Sequence, residues 1–181
     1  MKFIETELSG AFLIEPRVYA DNRGFFLESY SDRAFQKAGL CIRFVQDNHS
    51  MSSGTGVMRG LHFQLPPSAQ TKLVRVTRGT VYDVIVDLRK ASPTYGQWRS
   101  FELSASNFRQ LLVPKGFAHG FCTLEPGTEV QYKVDCLYAA ELDSGLRWND
   151  PTLAIPWPVA DPVLSEKDER LPFFQDLHSP F

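Results

Sequence analysis

At 181 residues, with 43% hydrophobic and 22% charged side chains, the chain suits one compact domain over residues 1–181 that buries a core without disulfide or metal staples. A formal charge of −2 with the signs interspersed leaves no basic stripe, which argues against nucleic acid as a partner; an anionic ligand must be met by a few local cations. Cys41, Cys122 and Cys136 are an odd set without metal-type spacing, which speaks for the reducing cytoplasm rather than a secreted framework. No segment approaches the roughly 18 apolar residues of a membrane span, and the acidic start, with Glu5, Glu7 and Glu15, lacks the pattern of a signal peptide.

Along the chain the first turn signal is Asp21-Asn22-Arg23-Gly24, followed by the clearest helix, capped by Ser31 and closed at Gly39. Further turns stand at Ser53 to Gly56, Ser92 to Gly96, Pro114 to Gly116 and Glu125 to Gly127, separated by short runs rich in Val, Phe, Tyr and Thr. This rhythm predicts strands of about 5 to 9 residues in an all-β barrel or sandwich, best a jelly roll, rather than alternating βαβ units. A second short helix begins at Ser165, and the Pro-rich tail from Pro151 reads as a strap over the barrel rather than a separate domain.

Strand parity assigns faces. In 71–78, Lys72 shares a side with Val74 and Val76; in 129–135, Tyr132 shares one with Val130 and Val134. Both are therefore expected inside. An inward ammonium needs an anion or an oxygen-rich ligand, because burying it alone is costly.

Two stretches resemble the paired signatures of cupin barrels: Gly56 through His62-Phe63-Gln64 to Gly79, and Pro114-Lys115-Gly116-Phe117-Ala118-His119. Metal-binding cupins carry a His-x-His pair and a glutamate in the first stretch. Here Gln64 replaces the second histidine and Gln70 stands near the glutamate position, which points to a cavity kept without its metal.

The finer resemblance is to the dTDP-4-dehydrorhamnose 3,5-epimerase family, over nearly the whole length. It rests on Asp21 to Glu28, Val45 to Ser50, Arg59-Gly60-Leu61-His62-Phe63-Gln64, Gln70 to Val74, Asp87-Leu88-Arg89, Pro114 to Phe121, Trp148 to Pro151 and Leu164 to Asp168. The chief departure is a loop at Ser53 to Gly56 that is one residue longer. The resemblance implies a cupin-type jelly roll with a few short helices and an enzyme without cofactor or metal. It further implies a homodimer in which the N-terminal part of one chain helps form its neighbour's site. The implied substrate is a dTDP-linked 4-keto-6-deoxyhexose, inverted at C3 and C5. A hydrogen beside a ketone leaves only if the enolate is stabilised, so the site needs a base, a cation or donor at O4, and an acid on the opposite face. By the resemblance these are His62 as base, oriented by Asp168, Lys72 at the enolate oxygen, and Tyr132 as acid. Arg23, Phe26, Glu28, Gln46 and Asn48 are implied nucleotide contacts, Arg59, His119 and Lys167 contacts to pyrophosphate or sugar, and Tyr138 and Asp143 further substrate contacts.

Rival readings exist for several of these groups. Asp168 fits the third position of a capping box opened by Ser165, and Tyr132 fits a plain interior aromatic. Arg23 and Glu28 could form a surface ion pair. His119 could bond a loop or the substrate instead of moving protons. At the level of function the rivals are an epimerase of one carbon only, a metal-dependent cupin and a non-catalytic sugar binder.

Overall fold

The computed structural model describes residues 1–181, and nearly every regular element is a strand. One antiparallel sheet holds, in spatial order, β1 (Lys2–Glu5), β2 (Phe12–Glu15), β10 (Gln110–Val113), β7 (Lys72–Arg78), β12 (Thr128–Val134) and β5 (Gln46–Ser52). The facing sheet holds β13 (Asp143–Gly145), β6 (Met58–Gln64), β11 (Phe117–Thr123), β8 (Thr80–Asp87) and β9 (Trp98–Ser104). A separate hairpin of β3 (Val18–Asp21) and β4 (Gly24–Leu27) pairs with neither sheet. This is the cupin-type jelly roll. The strands run from 3 to 8 residues, with four-residue strands at the N-terminus that are shorter than the turn spacing predicts.

Alternation along the strands fills the space between the sheets. Val74 and Val76 of β7, Val81 and Ile85 of β8, Leu111 of β10, Phe117 and Phe121 of β11 and Val130 of β12 form one buried cluster, with Tyr132 packed against it. The opposite faces are covered too, so both sheets are apolar on two sides. Helix α1 (Asp32–Lys37), capped by the Ser31 hydroxyl and ended at Gly39 with φ +80°, lays Phe35 against Ile14, Leu73 and Leu112. The strap puts Leu153, Ile155 and Trp157 over Leu61, Val84 and Val86 on the outside of the second sheet.

The strap then returns beside β6. Met58 N–H donates to Val163 O (3.0 Å) and Val163 N–H to Gly56 O (2.9 Å), which sets α2 (Glu166–Glu169) above the barrel mouth. No helix is long and apolar enough to cross a membrane.

Candidate active site

Parity on four strands aims side chains into one cavity of about 480 Å³, lined by Arg59, His62, Lys72, His119, Tyr132, Tyr138, Asp143, Lys167 and Asp168. His62 comes from β6 of one sheet, Lys72 and Tyr132 from β7 and β12 of the other, so the imidazole faces them across the barrel.

His62 owes its place to glycine. Gly60 has φ +127°, and a Cβ there would stand 2.5 Å from Gly120 Cα and 2.8 Å from His119 O. Only a residue without a side chain lets β6 and β11 close to this distance at the irregularity in their register. The Gly60 N–H also donates to Asp168 Oδ2 at 3.3 Å.

Asp168 is 3% exposed and its Oδ1 lies 2.7 Å from His62 Nε2. Burial pushes its carboxyl upward, but the hydrogen bond and charge of His62, with help from Gly60 N–H and Ser165, outweigh this and hold it below the usual carboxylate range. Half of the expected capping box exists: the Ser165 hydroxyl accepts from Asp168 N–H at 3.2 Å, while the carboxylate turns to His62. The cap and the partnership are compatible, because a cap uses the backbone of the third position and leaves its side chain free.

Lys72 Nζ donates to the His62 carbonyl at 3.3 Å and has no carboxylate against it. Burial lowers its ammonium to about 8, opposed by the charges of Asp143 and Asp83 and reinforced by Lys167. Tyr132 is raised above its ordinary value by burial, with Arg59 opposing and Asp143 and Tyr138 adding to the rise. The phenol thus keeps its proton through neutral pH.

At the mouth, the Asp143 carboxylate accepts from the Tyr138 hydroxyl (3.0 Å) and pairs with Lys167. Arg59 is tethered to Ser52 Oγ and Met51 O, each at 3.2 Å. Gln46 and Asn48 lie on the inward side of edge strand β5, bonded to each other at 2.8 Å, and Asn48 stands opposite Tyr132 in the register.

Arg23, Phe26 and Glu28 are not brought to this cavity. All three are exposed, and Arg23 pairs with Asp21 (2.6 Å) rather than Glu28, because the tight β3–β4 turn sets those two side chains together. The amides that stand for metal ligands are occupied: Gln64 donates to Ser68 O (2.7 Å) and accepts from Ala139 N–H (2.8 Å), and Gln70 donates to Cys136 O (2.8 Å). No three His, Cys, Asp or Glu side chains group as a metal site.

Sequence reasoning passed over Asp83, which is fully buried and stands 3.0 Å from His119 Nε2. The signal was present. In 80–87 it falls on the same face as Val81 and Ile85, an inward acid that demands a partner.

A cupin barrel with a His–Asp pair facing a protonated phenol and a lysine has the kinds of group that moving protons beside a carbonyl requires. Comparison with known proteins gives the family. The sequence profile of the dTDP-4-dehydrorhamnose 3,5-epimerases matches residues 5–176, and the chain belongs to that family. It is 60% identical to the dTDP-4-dehydrorhamnose 3,5-epimerase of Bacillus anthracis, whose crystal structure has TDP and PPi bound; the match covers 95% of this chain and 98% of that one, with a TM-score of 0.94. The enzyme of that name from Methanothermobacter thermautotrophicus is 53% identical over 93% of this chain and 92% of its own. The Legionella pneumophila dTDP-6-deoxy-D-glucose-3,5-epimerase, solved with dTDP-4-keto-L-rhamnose, is 43% identical over 97% of this chain and 94% of that one, with a TM-score of 0.92.

Proposed function

We propose that this protein inverts C3 and C5 of dTDP-4-dehydro-6-deoxy-D-glucose to give dTDP-4-dehydro-L-rhamnose, in the making of dTDP-L-rhamnose, with protein side chains alone. The observation that carries the reading is the His62–Asp168 pair at 2.7 Å, set on the opposite sheet from Tyr132 and Lys72 around one cavity. The shared name of the relatives and the ligands in the Bacillus and Legionella structures support the substrate.

In this mechanism Asp168 holds His62 through Nε2, so Nδ1 is the nitrogen that takes the α-proton. The carboxylate then stabilises the imidazolium that forms. Lys72 meets the growing charge on O4, where a cation gains most in the transition state. Tyr132 returns a proton from the facing sheet, which converts exchange into inversion. Arg59, His119 and Lys167 meet the pyrophosphate or sugar, with Tyr138 and Asp143 at the mouth.

For the nucleotide, Gln46 and Asn48 extend the cavity along the edge of β5, whereas Arg23, Phe26 and Glu28 reach a site only in a neighbouring subunit. A homodimer that exchanges its β3–β4 hairpins is therefore part of the proposal. The unpaired Cys41, Cys122 and Cys136 support a cytoplasmic setting.

The test is incubation with dTDP-4-keto-6-deoxyglucose in deuterated water, followed by NMR of label position and configuration. Deuterium with inversion at both C3 and C5 is expected. Inversion at one carbon alone reduces the protein to a single-site epimerase, and absence of exchange overturns the reading altogether.

A further inference from the structure

The barrel holds a second His–Asp pair, whose carboxylate the mechanism above leaves without a stated purpose. Asp83 sits on β8 between Val81 and Ile85, at 0% exposure, and both its oxygens lie 3.0 Å from Nε2 of His119. His119 is the sole hydrogen-bonding partner of that carboxylate. No buried side-chain nitrogen or oxygen in the protein lacks a partner, and Nδ1 of His119 bonds to nothing within the chain. That atom is therefore open to the cavity that His119 lines. His119 also stands directly opposite His62 in the β6–β11 register, which puts the two imidazoles side by side on the wall facing Lys72 and Tyr132.

Charge says what the second pair is for. A carboxylate buried without a cation is strongly destabilising. Around the cavity, Asp83, Asp143 and Asp168 are balanced by Arg59, Lys72 and Lys167, with Tyr132 and Tyr138 neutral. An enolate formed in the cavity upsets this balance toward negative. A second proton on His119 restores it, at a nitrogen that points into the cavity.

We propose that Asp83 is a positioning residue acting through His119: it holds Nε2–H in the barrel wall, so that Nδ1–H of the imidazolium donates to O4 beside Lys72 as the enolate forms. The inference rests on the epimerase reading and extends it, because a ketone oxygen accepts two donors and Lys72 supplies one. Proton removal at C3 and at C5 both place charge on O4. Loss of the Asp83–His119 pair should therefore slow exchange and inversion together at both carbons, whereas loss of an acid on one face changes their ratio.

The experiment compares Asp83→Asn, His119→Gln and the double variant for kcat, KM, dTDP affinity and deuterium uptake, with the His119 Nε2–H proton followed by 15N-edited NMR. Asp83→Asn is expected to lower kcat by about 30-fold or more, somewhat less than the roughly 100- to 1,000-fold lost when an oxyanion donor is itself removed. KM and dTDP affinity should stay within about three-fold, as for an interaction made only in the transition state. The Nε2–H signal of His119 should move while that of His62 stays, and the double variant should be no slower than His119→Gln alone.

A kcat within about two-fold of the parent, full additivity in the double variant, or an Asp83→Asn effect that vanishes in a Lys72→Met background overturns the proposal; the last assigns Asp83 to Lys72. Should Asp83→Asn not fold, His119→Gln, which leaves an amide against Asp83, is read for the same split, and a raised KM with unchanged kcat overturns it. A parent that takes up no deuterium overturns the epimerase reading and this inference with it. A loss-free Asp83→Asn in an active parent overturns the inference alone.

Discussion

The groups around the cavity differ in how solvent exclusion treats them, and that difference is testable by pH. Burial lowers the Lys72 ammonium to about 8. Its folded pKa thus lies below that of an unfolded lysine, about 10.4. Between those values the unfolded chain binds more protons, so the Lys72 contribution to stability rises with pH while the charge that the proposed mechanism places at O4 is lost. Activity and stability should part: kcat/KM falls by one proton as pH rises through about 8, with no fall in melting temperature assignable to Lys72. In Lys72→Met the residual rate should lack this limb; a limb that persists belongs to another group. Tyr132 shifts the other way, upward, because burial disfavours its anion, so it remains an acid over the same range. Tyr132→Phe removes one hydroxyl and keeps the ring packed on the core. If His62 takes the proton from one face and Tyr132 returns one from the other, the variant still forms the enolate but reprotonates it mostly from the original side. Deuterium uptake with retained configuration should outrun inversion by more than in the parent. If the two fall in fixed ratio, Tyr132 only stabilises or packs, and water is the acid of the far face.

At the level of elements, α2 is a helix of four residues whose job is to hold one carboxylate. Ser165 caps it through the Asp168 N–H and also touches the Asp168 carboxyl, so Ser165→Ala should cost about 1 kcal/mol. For a chain of this size that is a fall in melting temperature of about 2–4 °C. The kcat should drop several-fold with dTDP affinity unchanged, since Asp168 loses one of the contacts that fix it against His62. A lowered melting temperature with an unchanged kcat would show that the strap, through Val163 and β6, already orients Asp168. The strands were legible in the sequence because period-two alternation is strong where one face is buried: Lys72 and Tyr132 fall inside as their valine neighbours require. The caps at Ser31 and Ser165 were legible for the same local reason. Two things were not. The Asp83–His119 pair joins residues on neighbouring strands, and alternation assigns a face without naming the partner across a sheet. The return of the strap to β6 depends on two backbone hydrogen bonds at Val163, which no side-chain pattern marks.

On the scale of the whole molecule, the awkward element is the β3–β4 hairpin. It pairs with neither sheet, and it leaves Tyr19, Phe25 and Phe26 exposed at 52%, 62% and 70%. Aromatic rings presented together on so small an element are costly to leave in water and are common where a second surface covers them. Of the residues carried over from the family pattern, Arg23, Phe26 and Glu28 sit on or beside this hairpin, outside the cavity formed by their own chain. Both facts follow if the hairpin belongs to the partner's site. Proton transfer and nucleotide binding at one site then come from different chains, which subunit mixing reads directly. His62→Asn should abolish turnover and leave the hairpin intact; Phe26→Ala should weaken nucleotide binding and leave His62 intact. In a heterodimer of the two, one site combines the unaltered His62 of one subunit with the unaltered Phe26 of the other. Unfolding and refolding the variants together should therefore restore about a quarter of the parent rate, since about half of the dimers are mixed and each carries one complete site. Refolding His62→Asn alone should restore none, and Phe26→Ala alone only its own rate, lowered by weak binding when substrate is below saturation. If both residues served the same chain's site, the mixture would show only the average of the two variants, and a monomer in solution would remove the exchange of hairpins from the proposal.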